Sequence, residues 1–326
     1  MSKTEERTCI LAIAPIADLG AICTPGELIA FNVGPDGVAY FVVAQKPLDY
    51  RRIAASGTSF AKTVPTRPQT YRVVGLSDSR TVLDVVIQAE KFNIHDVQPL
   101  GGSELLLVCG RSHYRSRDDF EKNGRVYSLD GSFVREILLG DGIRSVQTTA
   151  AGVIWTSFID EGIFGNYGWR DPVGAPGLIA WDSNGQRLYE FAPRAGLESM
   201  CDCYALNVAS ESVVWCYYYR KFPLVRIRRH KIEGVWKCPV SGSDGFAISQ
   251  ELTLFRGAYK QHDDYQLFQL SGDGKVETIA KIEFSDEDGE KLIAEHIVAR
   301  GSSLYVLRRS KLYQIDVATV ANSIGL

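Results

Sequence analysis

The sequence predicts an all-β fold: a six-bladed β-propeller of four-stranded antiparallel blades, built as a single domain across residues 1–326. Three observations predict it. Helical periodicity is nearly absent, and short runs rich in Val, Ile, Leu, Tyr and Trp are punctuated by Gly, Asp, Asn and Ser. A unit of two consecutive hairpins recurs at intervals suited to one propeller blade. The last such unit is one strand short, while the N-terminal region holds a spare strand that can fill the gap.

The first unit opens near residue 27 with "GELIAFNVGPDGVAYFVVAQ" and is completed by "TYRVVGLSDSRTVLDVVIQA". The second, near 96, reads "HDVQPLGGSELLLVCGR" and continues as "GRVYSLDGSFVREILLG". The third, near 145, echoes it as "RSVQTTAAGVIWTSFID" and "GLIAWDSNGQRLYEFAP". In both, an Asp-Gly or Asn-Gly step turns the third strand into the fourth, because those positions accept φ > 0. Units four and five begin near 203 ("CDCYALNVASESVVWCYYY") and 245 ("DGFAISQELTLFRGA"). A sixth begins near 295 with three strands only, "EHIVARGSSLYVLRRSKLYQIDV". The run at 8–16, "TCILAIAPI", is expected to supply its fourth strand and so close the ring without an exposed edge.

Blade grammar of the kind seen in "VGPDGVAYFVV" resembles the broad six-bladed class that includes NHL-repeat and SMP-30/gluconolactonase-like proteins. The resemblance covers essentially the whole chain and speaks to fold. It also implies one chemistry. Lactonases of that class hold a divalent metal with carboxylates and an asparagine near the starts of the inner strands, and the metal polarises a sugar lactone. Glu27, Asp96, Asp202 and Asp244 match those carboxylates. The asparagine has no counterpart in place: Asn93 precedes its strand and Asn207 lies well inside one.

Antiparallel topology places the entries to the first strands and the second-to-third-strand loops on one face. The tight turns all fall on the other. Three long loops therefore share a face: 46–69, 110–123 and 160–176. Long loops on a rigid scaffold are where function concentrates. The third, "DEGIFGNYGWRDPVGAP", is read as neither helix nor strand. Its Phe164, Tyr167 and Trp169 are expected to wall a ligand site or to form a small core of their own, with Phe164 the packing residue and Tyr167 the contact. Asp160, Glu161, Tyr167, Trp169 and Arg144 are the candidate ligand contacts. His95 and His296, at inner-strand starts, are candidate general bases, and His113 is a further candidate on the same face.

Carboxylates crowded around one axis raise one another's pKa or recruit a cation, and oxygen ligands suit Ca²⁺, Mg²⁺ or Mn²⁺. Three functions stay open. The first is binding of a small molecule or peptide on the long-loop face. The second is metal-dependent hydrolysis with one divalent cation at the carboxylate ring. The third is scaffolding of a protein partner.

Composition narrows the partners. A net charge of −3 gives no global pull toward nucleic acid or anionic membrane. The one basic cluster, "RKFPLVRIRRHK", reads as a third strand with Val225 and Ile227 inward and Arg226 and Arg228 outward. No uninterrupted apolar stretch reaches membrane-spanning length. Seven cysteines at irregular spacing, without a secretory leader, point to reduced thiols and a cytoplasmic protein.

Overall fold

Among the described residues, hydrogen bonding pairs the strands into six sheets of four or five strands and two small hairpins, and the six larger sheets form the expected six-bladed β-propeller. The computed structural model describes residues 8–194 and 196–326. Blades one to three lie in one compact unit, residues 21–203; the other unit joins residues up to 20 to residues 204–326.

In the first unit each blade is a four-stranded antiparallel meander. Blade one runs Glu27–Val33, Ala39–Ala44, Gln69–Ser77 and Arg80–Glu90. Blade two runs Asp96–Leu100, Glu104–Val108, Gly124–Ser128 and Phe133–Ile137. Blade three runs Ile143–Thr148, Ile154–Phe158, Leu178–Trp181 and Arg187–Glu190. The second strands, Ala39–Ala44 and Ile154–Phe158, are buried at every position. That is why they read as continuous apolar runs rather than alternating ones.

In the second unit, blade four runs Asp202–Val208, Val213–Tyr219, Pro223–Arg228 and Lys231–Lys237. Its third strand alternates as expected: Val225 and Ile227 are buried, while Arg226 and Arg228 both reach Glu233. Blade six has three strands of its own, His296–Arg300, Ser303–Arg308 and Lys311–Asp316. An N-terminal strand completes it, but a shorter and later one than 8–16. Ala17 and Asp18 pair antiparallel with Leu312 and Lys311. The run Thr8–Ala12 instead joins blade five as a fifth, parallel strand beside Val276–Ser285. Pro15 explains the division: it has no N–H to donate to a ladder, so the run bends between two sheets instead of continuing in one.

The innermost strand of a blade has one edge that no ladder pairs. In the first unit, side chains from neighbouring inner strands fill that edge. Asn32 Nδ2 donates to the Val146 carbonyl (2.8 Å) and to Asp96 Oδ1 (2.7 Å), so one amide of blade one reaches blades two and three. Asp96 Oδ2 accepts from Val146 N–H at 3.0 Å. Gln98 donates to the Val33 carbonyl (3.2 Å) and accepts from Thr148 N–H (3.0 Å). The second unit repeats the device. Asn207 of blade four donates to the carbonyls of Phe246 (3.1 Å) and Gly301 (2.9 Å) and accepts from Gly301 N–H (2.8 Å), tying blade four to five and six. The strands "ELIAFNV" and "DCYALNV" carry the asparagine at the same place, each before a valine.

Among the described residues no helix is long and apolar enough to cross a membrane. The C-terminal helix Val317–Ser323 is capped by Asp316, whose carboxylate accepts from the N–H groups of Ala318 and Thr319.

Asn207 and Asn32 are fully or almost fully buried, so truncation strands backbone groups without water. Asn207→Ala and Asn32→Ala are each expected to lower stability by about 1–3 kcal/mol, read by urea unfolding. A loss no larger than that of an exposed Asn→Ala control would contradict this role.

Candidate functional site

The three long loops of the first unit converge on one cleft of about 530 Å³, lined by Arg52, Phe60–Val64, His113, Arg115, Glu121, Asn166 and Tyr167. Each loop is fixed at its base. The blade-one loop carries a small hairpin, Arg51–Ile53 with Ser59–Ala61. Buried Asn93 holds it, donating to the carbonyls of Asp49 and Lys62, both at 2.9 Å. The blade-two loop folds as Tyr114–Ser116 against Asp119–Phe120. Asn123 anchors it, donating to the carbonyls of Cys109 and Gly140 at 2.7 Å.

The blade-three loop is not wholly irregular, as expected, but begins with a short helix, Asp160–Phe164. Two acids in its first turn suit the helix start. The helix packs on the turn at 140–142. A Cβ on Gly162 would lie 2.4 Å from the Asp141 carbonyl oxygen, and one on Gly142 would lie 2.4 Å from Gly162 N. Both contacts need glycine.

At the centre stands Arg111. Its guanidinium meets Asp141 through Nε–Oδ1 (2.9 Å) and Nη2–Oδ2 (3.1 Å), bonds Glu161, and lies 4.2 Å from the centroid of the Tyr167 ring. One side chain of the second loop thus orders the third. Burial pushes Asp141 up to about 6, against the pull of Arg111.

Tyr167 joins all three loops. Its carbonyl accepts from Tyr114 N–H (2.9 Å), its hydroxyl donates to the Ala61 carbonyl (2.7 Å), and its ring lies 4.4 Å from that of His113. Its φ is +47°, a left-handed conformation that bulky side chains rarely adopt. Glu121 closes the floor, accepting from His113 N–H (2.9 Å) and Arg115 Nη2 (2.7 Å).

Of the other expected ligand contacts, Glu161 reaches the cleft only through Arg111. Arg144 and Asp160 belong to a separate group. Arg144 Nη2 lies 3.2 and 3.3 Å from the carboxylate oxygens of Asp202. Burial raises the Asp202 pKa, Arg144 opposes that shift, and the Asp160 charge adds to it. Of the other two aromatics of this loop, Trp169 packs and Phe164 does not. Trp169 is 8% exposed, with its indole N–H donating to the Ser112 carbonyl (2.8 Å) and its ring beside Tyr114 and Phe120. One edge borders a second cleft, shared with Arg115 and Arg170. Phe164, expected to pack, is 67% exposed. The helix turns it outward, a facing that a loop reading does not predict.

Three of the four carboxylates read as metal ligands have partners in this chain. Asp96 accepts three N–H bonds, from Asn32, Val97 and Val146. Asp202 pairs with Arg144. Asp244, in the second unit, pairs with Arg256, whose other terminus holds Asp263 at 2.9 Å. Glu27 is exposed at its strand start. Among the described residues no three His, Cys, Asp or Glu side chains gather as a cation site.

His95 immediately precedes the inner strand of blade two. The residue is exposed, and desolvation of its imidazole with the nearby Arg111 charge lowers its pKa to about 4. Its Nδ1 accepts from Gly110 N–H (3.2 Å), which leaves the proton of the neutral ring on Nε2. His296 is exposed, opposite Leu307 in the second unit. The residues that build the cleft, Arg111, Arg52 and Glu121, were not singled out by the sequence; a salt-bridging arginine in a polar loop carries no local signal.

The YxzG family model matches residues 175–315, less than half of the chain. Comparison with curated proteins finds no match. Among solved structures, the chain is similar to one in the mitotic checkpoint complex, with 6% identity, TM-score 0.49, and coverage of 97% of this chain and 95% of that one. It is also similar to streptogramin B lyase, with 9% identity, TM-score 0.46, and coverage of 88% and 92%. Likeness at these identities concerns the fold alone.

Two outcomes test the local electrostatics. Arg111→Met would leave buried Asp141 without its partner, at an expected cost of about 3–5 kcal/mol in denaturant unfolding. Burial raises Asp96 from 3.8 to about 7. Its contribution is therefore full below the unfolded pKa and falls as pH rises through about 7. Asp96→Asn turns an N–H toward groups that are all donors, so it is expected to be less stable. Its deficit against the wild type should narrow between pH 5 and 8, and a deficit constant with pH would contradict the assignment.

Proposed function

We propose that this protein is a ligand-binding β-propeller that holds a small molecule or short peptide in the cleft between the long loops of blades one to three. The observation that carries this reading is Tyr167. Its left-handed backbone is held by a bond to each of the other two loops, and its ring faces the cleft beside His113. A conformation of that kind costs about 1–3 kcal/mol and concentrates at ligand sites. The cleft has the usual make-up of a small-molecule site, aromatic and apolar walls with a few convergent polar groups.

Cation-dependent hydrolysis has no comparable support. Asp96, Asp202 and Asp244 are each satisfied by a donor or an arginine of this chain, and His95 has its Nδ1 lone pair occupied.

A thermal-shift screen of metabolites and short peptides tests the reading. A true ligand at a hundred times its Kd adds about 2.7 kcal/mol of stability. That gain is expected to disappear in His113→Ala and Tyr167→Ala. Ligands that protect both variants as fully as the wild type would place the site elsewhere.

A further inference from the structure

The charges around the cleft are unevenly matched. Three cations line it, Arg52, Lys62 and Arg115, against one carboxylate, Glu121. Lys62 is bound by Asp49, which also accepts from Thr66 N–H and its hydroxyl. Arg115 is held by Asp119 (3.1 Å) and Glu121 (2.7 Å). Both oxygens of Glu121 are in use, one on Arg115 and one on the His113 backbone. Arg52 differs. Among the described residues no carboxylate lies within ion-pair distance of it; its guanidinium is 5.7 Å from the centre of the Phe60 ring. It stands on the exposed hairpin at the cleft's edge.

Burial is the first cause that holds His113 below the usual imidazole range; Arg115, Arg111 and Arg52 push the same way, and Glu121 opposes them. A neutral imidazole there can donate one N–H, and no side-chain partner occupies it among the described residues. A cationic ligand would meet two guanidiniums and the Lys62 ammonium, and a neutral one would leave Arg52 without a counter-charge.

We propose that the cleft takes an anionic ligand, a carboxylate or phosphate carried on a flat apolar group, with Arg52 as its counter-ion. His113 donates to the anion, and the Phe60 and Tyr167 rings receive the apolar part. Planar guanidinium matches both anions as a two-pronged donor. The inference rests on the cleft being the ligand site proposed above.

Four probes of one shape decide it: benzoate, phenyl phosphate, benzyl alcohol and benzylamine. Each is titrated into the full chain while the His113 ring is followed by NMR. Benzoate or phenyl phosphate should saturate the His113 signal and raise its pKa, because a bound anion favours imidazolium. Arg52→Gln should weaken that anion about tenfold, with Arg52→Lys closer to the wild type. The tighter anion identifies the natural group. Benzyl alcohol or benzylamine binding as tightly as the anions would overturn the charge assignment and leave the cleft standing as a ligand site. Unchanged anion binding in Arg52→Gln would overturn the role of Arg52. No response to any probe would overturn the inference and count against the cleft itself.

Discussion

A blade's innermost strand must find partners for backbone groups that no neighbouring strand pairs, and both units depend on how that is met. A buried N–H or C=O without a partner costs about as much as a lost hydrogen bond. This chain answers with side chains that mimic a strand edge. A carboxamide carries a donor and an acceptor together, as a peptide group does. Asn207 uses both on blades five and six, and Gln98 uses both on blades one and three. Apolar packing alone would bring the blades together without fixing their register, since burial is not directional. The amides supply direction.

The same device, one layer out, makes the loops rigid. Asn93 and Asn123 hold their loops as Asn207 holds its blades, through side-chain amides on backbone carbonyls. Arg111 then passes order from the second loop to the third. The walls of the cleft are therefore fixed by the chain itself. Among the described residues, no ion pair or side-chain hydrogen bond holds Arg52 or the His113 ring.

Much of the fold was legible because it rests on local signals. Asp-Gly and Asn-Gly steps marked the outer hairpins, and the blade starts near 27, 96, 145, 203, 245 and 295 fall at or beside the observed inner strands. The pairing of loops on one face followed from strand direction alone. The short completing strand at Ala17–Asp18 carried too little pattern to separate from the longer apolar run before it. The linking roles of Asn32 and Asn207 were not read; their shared Asn-Val step was the available clue, visible only by laying blade one on blade four. The acids at strand starts were read from position alone. Position along a strand does not reveal that Arg144 faces Asp202, or Arg256 faces Asp244. Phe164 faces outward because it ends a five-residue helix that a loop reading does not contain.

The N-terminal strands have a consequence in time. Thr8–Ala12 and Ala17–Asp18 are synthesised well before their partners, around 281–285 and 311–312. Contacts separated by most of the chain form late and slowly. Until then the outer edges of blades five and six stand open, and each is a template for the wrong strand. Blades one to three, with partners close in sequence, can mature while the ribosome is still working. The cleft lies wholly among them, so its walls can form before the last strands pair.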